Sequence, residues 1–589
     1  MRTHLAPLTR SEQRVWEVGG LRPKTRPREL RLASRPGDYR SFASLEAILT
    51  QLSRLTSAKH APALKRLWQY IRESSPSEPE GYGRLLGDAV AYAVLRRISR
   101  ESVYTAQLID HGARTLNQIL GDLAVERVVV PEADRLDRPT LKLLARGVLL
   151  APPSCPFAWV WNLGSVPRHA PGESLQKQSR ARLFQQLSAM LNPLIVPGTE
   201  RPTPSPAPMT AGNDPAYELS AALVLQNYDA CFAWGEKLIA DGEGGDDPAA
   251  VEVLRLMALA AVNLGATDIA LELLSRAELG CEERPRLAHL AYLKGLISAK
   301  RSYDLDNSDG HYRRGLAFLE DRAADDDDDL RLERAWLFNG LALNRAIEWR
   351  RESGCTATYE EAFRLVKSAF DLVRESRSRA AGYLRFNLVA NLAFLLEMNG
   401  RYDLAIEALA RAFDFGPGSP TELPSGHTAL SYRLGVLCHR LGDRDRALAH
   451  LREAEAVDGS AENWPTRERI LRAIGAVCLA TGTPEEAEAA YREGLLLSRE
   501  NRSADGTAEH GSGLVAALVR QGHTTEVEET IEALGEEAIS IGPPEQIEPR
   551  QPNPKLPAYF PEVDLEEVPE VDLNRYLAAP ALGGGGRPS

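Results

Sequence analysis

The chain has 589 residues, of which 43% are hydrophobic and 26% charged, so its composition is that of a folded protein too long for a single core. A formal net charge of -12 and a pI near 5.6 argue against general affinity for nucleic acid. The sequence has no signal-peptide core, no apolar run that could span a membrane, and no cysteine spacing typical of a zinc site. We therefore expect a cytoplasmic protein without membrane contact, metal or cofactor.

Residues 1–40 form a basic head, with ten arginines and lysines against four acids and with prolines that interrupt any helix. This composition predicts a flexible or surface-packed segment, with a nucleic-acid-binding arm as the alternative. Residues 8–18, LTRSEQRVWEV, resemble the opening of the LuxR-type helix-turn-helix. Glycines and prolines follow where the recognition helix would form, so DNA is not an expected partner.

Residues 41–192 are predicted to form an N-terminal module. Amphipathic helices are indicated between residues 42 and 123, where apolar residues recur at helical spacing. After these helices the sequence pattern changes and predicts a strand, an acidic loop, a helix and a second strand. The first strand is expected at Val128–Val130, the helix opens at Thr140, and the second strand covers Phe157–Asn162.

This block resembles the Walker-B-to-sensor segment of the large signal-transduction ATPases of the LuxR and MalT type. In that family a hydrophobic strand ends in two acids, and a later Asp precedes a helix that opens with Pro-x-Thr-Leu. By this resemblance Glu132 and Asp137 are candidate nucleotide-site acids, and Asn162 lies near a sensor position. Pro131 replaces the magnesium-holding acid and no GxxxxGK[ST] loop precedes it, so we expect a degenerate module in which both acids are loop and helix-capping residues.

Residues 193–214 are a proline-rich linker, and residues 215–541 are predicted to be helical. The apolar periodicity gives about eight helix pairs. They are expected near residues 216–241, 249–279, 285–320, 330–374, 384–415, 427–457, 467–499 and 507–540.

Three glycines, Gly400, Gly442 and Gly482, recur 42 and 40 residues apart within this region. An alanine follows each of them by five residues, and a small residue precedes each by seven. Such a recurrence indicates a helical hairpin repeated in tandem. The pattern resembles the tetratricopeptide repeat, in which small residues let the two helices of a hairpin approach. The resemblance implies a mainly α fold: an α-solenoid behind a small mixed α/β or helical module.

The resemblance also implies that the first helix of each hairpin lines a concave groove. At the groove positions this sequence has asparagines at one end and arginines at the other, a combination suited to an extended peptide that carries carboxylates. A solvated helix face is the alternative interpretation. The predicted groove residues are Asn387, Asn391, Phe394, Tyr432, Arg433, His439, Arg440, Arg469 and Arg472.

Residues 542–589 contain ten prolines and end in a glycine run, a composition that predicts a disordered tail. The pentapeptide PEVDL occurs twice, at residues 561–565 and 569–573. The duplication suggests a docking peptide, and a solubilising acidic repeat is the alternative. We hypothesise that the tail docks into the groove of its own chain or of a second copy, so that its deletion would raise the affinity for a partner.

No catalytic constellation is present: the sequence contains neither HExxH nor GxSxG, and no Cys has a nucleophile motif. We therefore expect a non-enzymatic scaffold that binds a protein or peptide partner in its groove. The alternative is a transcriptional or signalling regulator descended from LuxR- and MalT-type ATPases, with lost or weak nucleotide binding.

Overall fold

The computed structural model describes residues 29–534 apart from several gaps. The described stretches are 29–35, 38, 40–56, 58–74, 94–96, 103–123, 125–151, 156–161, 163, 174–191, 215–241, 248–320, 327–351, 355–414, 424–458, 464–501 and 503–534. The helix-turn-helix-like segment, Asn162, the proline-rich linker and the predicted disordered tail lie outside these residues. The described chain divides into two compact units. Apart from Arg96, which belongs to the second unit, the boundary lies between Leu264 and Gly265.

The first unit contains a three-stranded parallel sheet in the order β1-β2-β3. The strands are β1 (Glu29–Arg31), β2 (Arg127–Val130) and β3 (Ala158–Trp161). Val128 pairs with Leu30 on one side and with Trp159 on the other. The predicted succession of strand, helix and strand is therefore confirmed. Strand β1 corrects the expectation of a wholly flexible or surface-packed head, because Leu30 and Leu32 are buried.

Eight helices of the first unit have bounds among the described residues. They are α1 (Ala43–Leu55), α2 (Ala61–Ser74), α3 (Val103–Asp122), α4 (Arg138–Leu150), α5 (Leu175–Leu191), α6 (Pro215–Val224), α7 (Tyr228–Asp241) and α8 (Pro248–Asn263).

A buried ion cluster ties α7 to α4 and α5. Asp229 has no exposed surface, and its carboxylate accepts hydrogen bonds from Arg138 Nη1 at 3.2 Å, Arg180 Nη1 at 2.9 Å and Ser179 Oγ at 2.5 Å. Lys142 Nζ also donates to Gln226 Oε1 at 2.6 Å. The first helices after the linker therefore pack into the first unit through a buried carboxylate that two guanidinium groups compensate.

The second unit is helical throughout its described residues. Its helices are α9 (Thr267–Leu279), α10 (Arg284–Ile297), α11 (Leu305–Ala317), α12 (Asp328–Arg351), α13 (Thr356–Val373), α14 (Arg379–Met398), α15 (Tyr402–Ala410), α16 (Pro424–Leu441), α17 (Arg444–Asp458), α18 (Trp464–Thr481), α19 (Pro484–Glu500), α20 (Ala504–Gln521) and α21 (Thr524–Leu534). From α10 to α21 the helices of the second unit form six successive pairs, and α6 and α7 form another pair in the first unit. The two helices predicted near residues 249–279 belong to different units, α8 to the first and α9 to the second.

Five glycines among the described residues have positive φ, and four of them end the first helices of pairs in the second unit: Gly400, Gly442, Gly482 and Gly522. Gly442 has φ +88° and Gly482 has φ +79°, and both follow the last turn directly. The next residue donates back to the carbonyl five residues earlier: Asp443 N bonds Cys438 O at 2.9 Å, and Thr483 N bonds Cys478 O at 3.0 Å. This is the Schellman cap, which needs a left-handed residue. The recurring glycines of the sequence are therefore the ends of equivalent helices.

Close approach of the two helices in a pair accounts for the recurring small residues. A Cβ added to Gly475 would lie 2.7 Å from the ring of Tyr491, and one added to Gly435 would lie 2.7 Å from Leu451 Cγ. The repeated alanines, Ala405, Ala447 and Ala487, have no exposed surface. Cys438 and Cys478, at equivalent places in successive pairs, are likewise buried free thiols. Small side chains at these positions set the distance between helices.

None of the described helices combines the length and apolarity needed to cross a bilayer.

Candidate functional site

The first helix of each pair in the second unit is its more buried helix, and we call it the inner helix. Residues 381–391 of α14 are buried without exception, as are residues 288–297 of α10. The second, or outer, helices keep an exposed side that carries ion pairs such as Arg452–Glu486, 3.0 Å apart. The inner helices α12, α14, α16, α18 and α20 hold the predicted groove residues and the groups that contact them.

Four of the nine predicted groove residues are buried. Asn387, Asn391, Tyr432 and Arg433 have between 0% and 9% of their surface exposed. The other five, Phe394, His439, Arg440, Arg469 and Arg472, are half-buried. Burial, with the charge of Arg444 nearby, lowers the pKa of His439, so this imidazole is neutral at pH 7. The half-buried residues are therefore the ones that a partner can reach directly.

Asn391 links two successive inner helices. Its Nδ2 donates to the Oδ1 of Asn339, on α12, at 2.6 Å, and both side chains are buried. Asn387 instead donates to the carbonyl of Tyr383, within its own helix, at 3.0 Å. Asn391 therefore connects two helices of the scaffold, whereas the bond of Asn387 stays within one helix. The sequence pattern could place them on the correct helix but could not show that their amides bind other parts of the protein.

Glu397, on α14, is the main acid that the sequence interpretation missed. Its side chain is 5% exposed and forms ion pairs with both Arg433 and Arg440 of α16. Glu397 Oε2 pairs with Nη2 of Arg433, and Glu397 Oε1 pairs with Nη1 of Arg440. A buried carboxylate is stable when several cationic donors compensate its lost hydration. Glu397 stands three residues before Gly400, a place without an acid in the next two repeats, so repeat comparison did not reveal it.

Arg472 forms the corresponding link between α18 and α20. Its Nη1 pairs with the carboxylate of Glu509, and its side chain remains 23% exposed. Burial lowers the pKa of Arg472, but Glu509 and the nearby Glu468 raise it by more, so the guanidinium stays charged. Glu468 also accepts hydrogen bonds from the hydroxyls of Ser498 at 3.0 Å and Ser503 at 3.2 Å.

The polar residues of the inner helices thus form a row of cross-helix contacts, from Asn339–Asn391 through the Glu397 cluster to Arg472–Glu509. Within the row Glu397 pairs with two arginines. The side chain of Arg433 is buried, and that of Arg440 is 26% exposed. Arg440 and Arg472 are therefore preorganised donors, each held by an internal acid, with part of the side chain facing solvent.

The two candidate nucleotide-site acids lie in the first unit. Asp137 is the N-cap of α4 and has no exposed surface; its carboxylate accepts from the backbone N–H groups of Thr140 at 2.9 Å, Phe42 at 3.0 Å and Ser44 at 2.9 Å. The pKa of Asp137 is raised to about 6, because the effect of burial exceeds that of the three backbone donors, which lower it. The prediction that Asp137 caps a helix is confirmed.

Glu132 lies in the turn after β2, with φ +48°, and pairs with Arg135 at 2.9 Å. Its carboxylate is thus bound by a neighbour in the same turn. No group of three or more His, Cys, Asp or Glu side chains suited to a metal occurs among the described residues.

Comparison with known proteins decides the nature of the repeats. Residues 427–500, which span helices α16 to α19 almost completely, match the family model of the tetratricopeptide repeat. This segment consists of tetratricopeptide repeats. No curated protein matches the chain.

Several solved structures are similar to the chain. The apo form of RapI is 14% identical over 54% of this chain and 85% of that chain, with a TM-score of 0.40. A Rap protein complexed with competence and sporulation factor is 14% identical over 55% of this chain and 94% of that chain, with a TM-score of 0.33. A STAND signal transduction ATPase with a tetratricopeptide repeat sensor, from Pyrococcus horikoshii, is 9% identical over 86% of this chain and 82% of that chain, with a TM-score of 0.36.

Proposed function

We propose that the chain is a non-enzymatic scaffold whose tetratricopeptide unit binds an extended, acidic segment of a partner protein. The observation that carries the proposal is the pair of half-buried arginines, Arg440 and Arg472, each on an inner helix and each held by an internal carboxylate. A guanidinium has five donors in a planar fork, so it can bind more than one carboxylate.

The buried groove residues have a supporting role in this proposal. Asn391 and Arg433 connect neighbouring inner helices, and they hold the helix spacing on which the exposed guanidinium groups depend. Phe394, His439 and Arg469 are half-buried on the same inner helices and supply apolar and polar contacts. The five cysteines among the described residues are free thiols, two of them in the repeat core, and they support a reducing compartment such as the cytoplasm.

The test is the binding of a fluorescent peptide array to the full-length chain, with acidic, neutral and basic extended peptides. Acidic peptides are expected to bind. The double variant Arg440→Gln, Arg472→Gln should lower their affinity at least tenfold, which corresponds to about 1.4 kcal/mol of binding free energy. Arg452→Gln is the matched control, because Arg452 is an exposed arginine that pairs with Glu486 on outer helices. Equal loss in the control and in the inner-helix variant would contradict the proposal.

A regulator descended from nucleotide-dependent switches is the competing candidate. It requires Glu132 to act on a nucleotide, although Glu132 pairs with Arg135 in its own turn. Titration of the full-length chain with ATP separates the two functions. Saturable micromolar binding that disappears in Glu132→Gln would overturn the scaffold as a complete description.

A further inference from the structure

We infer that the acidic segment 561–573 of this chain is itself a ligand of the inner-helix arginines and competes with the partner. The inference rests on the proposed function, since it assigns a regulator to the same binding site. The segment reads PEVDLEEVPEVDL and has six acids and no basic residue in thirteen positions. In each of its two copies Val and Leu alternate with Glu and Asp, so an extended backbone would present the acids on one side and the apolar residues on the other.

The point at which the described chain ends supports this occupant. Leu534, the last residue of α21, packs on Gly511 of α20, where an added Cβ would lie 2.5 Å from Leu534 Cδ1. Glu509, which binds Arg472, is only two residues away on α20. Residues two apart face nearly opposite sides of a helix, so Leu534 and the Arg472–Glu509 pair lie on opposite sides of α20, separated by about one helix diameter of 10 Å.

Chain length then permits the contact. Residues 535–560 separate Leu534 from the acidic segment, and these 26 residues can span at most about 90 Å. The two copies of PEVDL begin eight residues apart, a distance of up to about 28 Å, so they can engage arginines on more than one inner helix. Arg440 lies on α16 and Arg472 on α18, and both have exposed surface to offer.

The contact is charge-complementary. A carboxylate from the segment would share Arg440 with Glu397, or Arg472 with Glu509, at the exposed side of the guanidinium group. A tethered segment acts at an effective concentration of the order of 1 mM. If the free peptide binds with a Kd of about 100 µM, the tether weakens an external ligand by about tenfold.

The experiment uses the full-length chain and a second full-length chain whose six acids are neutralised. The substitutions are Glu562→Gln, Asp564→Asn, Glu566→Gln, Glu567→Gln, Glu570→Gln and Asp572→Asn. A labelled synthetic peptide with the sequence of residues 561–573 is titrated into both by fluorescence anisotropy. We expect about tenfold tighter binding to the neutralised chain. Adding Arg440→Gln and Arg472→Gln to that chain should abolish the gain, whereas adding Arg452→Gln should preserve it.

Equal affinity of the peptide for the two chains would overturn the inference. A dimer that forms with rising wild-type concentration and disappears in the neutralised chain would also overturn it, because the segment would then occupy a second copy. Failure of the proposed function is recognised separately: if array peptides bind through Arg440 and Arg472 while the 561–573 peptide does not, only this inference fails. If no acidic peptide depends on these arginines, both fail.

Discussion

Asn391 donates a hydrogen bond from Nδ2 to the Oδ1 of Asn339, 2.6 Å away, and thereby joins two inner helices that are 52 residues apart in sequence. Removing one partner of a buried hydrogen bond leaves the other polar group unsatisfied, at a cost of about 1–3 kcal/mol. We predict that Asn391→Ala and Asn339→Ala each lower the midpoint of thermal unfolding. The double variant should be less destabilised than the sum of the two, by about 1 kcal/mol of coupling. Additive effects would show that the bond is not formed.

Gly475 is predicted to be intolerant of any side chain. A Cβ at this position would lie 2.7 Å from the ring of Tyr491, so Gly475→Ala must push apart the two helices of a pair, at a cost of about 1–3 kcal/mol. Gly310 is the matched control, since it lies within α11 and no atom stands within 4 Å of an added Cβ. Gly310→Ala should leave the protein equally stable or stabilise it by up to about 1 kcal/mol. Urea unfolding followed by circular dichroism measures both.

His510 makes the stability of the last repeats depend on pH. It is fully buried, it donates from Nε2 to the carbonyl of Glu468 at 3.1 Å, and burial lowers its pKa to about 4. An unfolded histidine binds its proton near pH 6.5, so unfolding takes up a proton between pH 6.5 and 4. The contribution of His510 to the free energy of unfolding is complete above pH 6.5. It falls by up to about 1.4 kcal/mol per pH unit as the pH drops towards 4.

Comparison of His510→Gln with wild type checks this dependence. The variant should be less stable at pH 7 but should lose less stability than wild type between pH 6.5 and 4. His427→Gln is the control, because His427 is partly exposed and pairs with Glu453 at the surface, 3.1 Å away. An unchanged pH slope in His510→Gln would mean that this imidazole titrates normally.

Asp229 is predicted to be the most sensitive acid of the first unit. Burial raises its pKa, but Arg138 and Arg180 lower it by more, so the carboxylate stays charged and its stabilisation is lost only as the pH falls below its ordinary value of 3.8. Asp229→Asn leaves two buried guanidinium groups without a counter-charge and should cost about 3–5 kcal/mol. Glu46→Gln, which removes an ion pair to the exposed Arg35, should cost less than about 1 kcal/mol. Hydrogen exchange in α4, α5 and α7 reports the difference.

Features that depend on local periodicity were predictable from the sequence. The helices from α6 to α21 follow from apolar spacing. The positions of Gly442, Gly482 and Ala447 identify the repeat because each satisfies a steric demand of its own turn or hairpin. Strand β2 and the cap at Asp137 were predictable for the same reason. Strand β1 was not, because a three-residue strand in a basic, proline-containing segment acquires its structure only by pairing with β2.

The helix that carries each groove residue was predictable from the sequence, but the burial of its side chain was not. The sequence by itself placed Asn391, Arg433 and Arg472 on the first helices of their repeats, since phase within a helix is a local property. Only the tertiary structure decided which of these side chains remain accessible. Burial and pairing depend on contacts between residues far apart in the chain, such as Glu397 with Arg433 and Glu509 with Arg472, and no periodicity records those contacts.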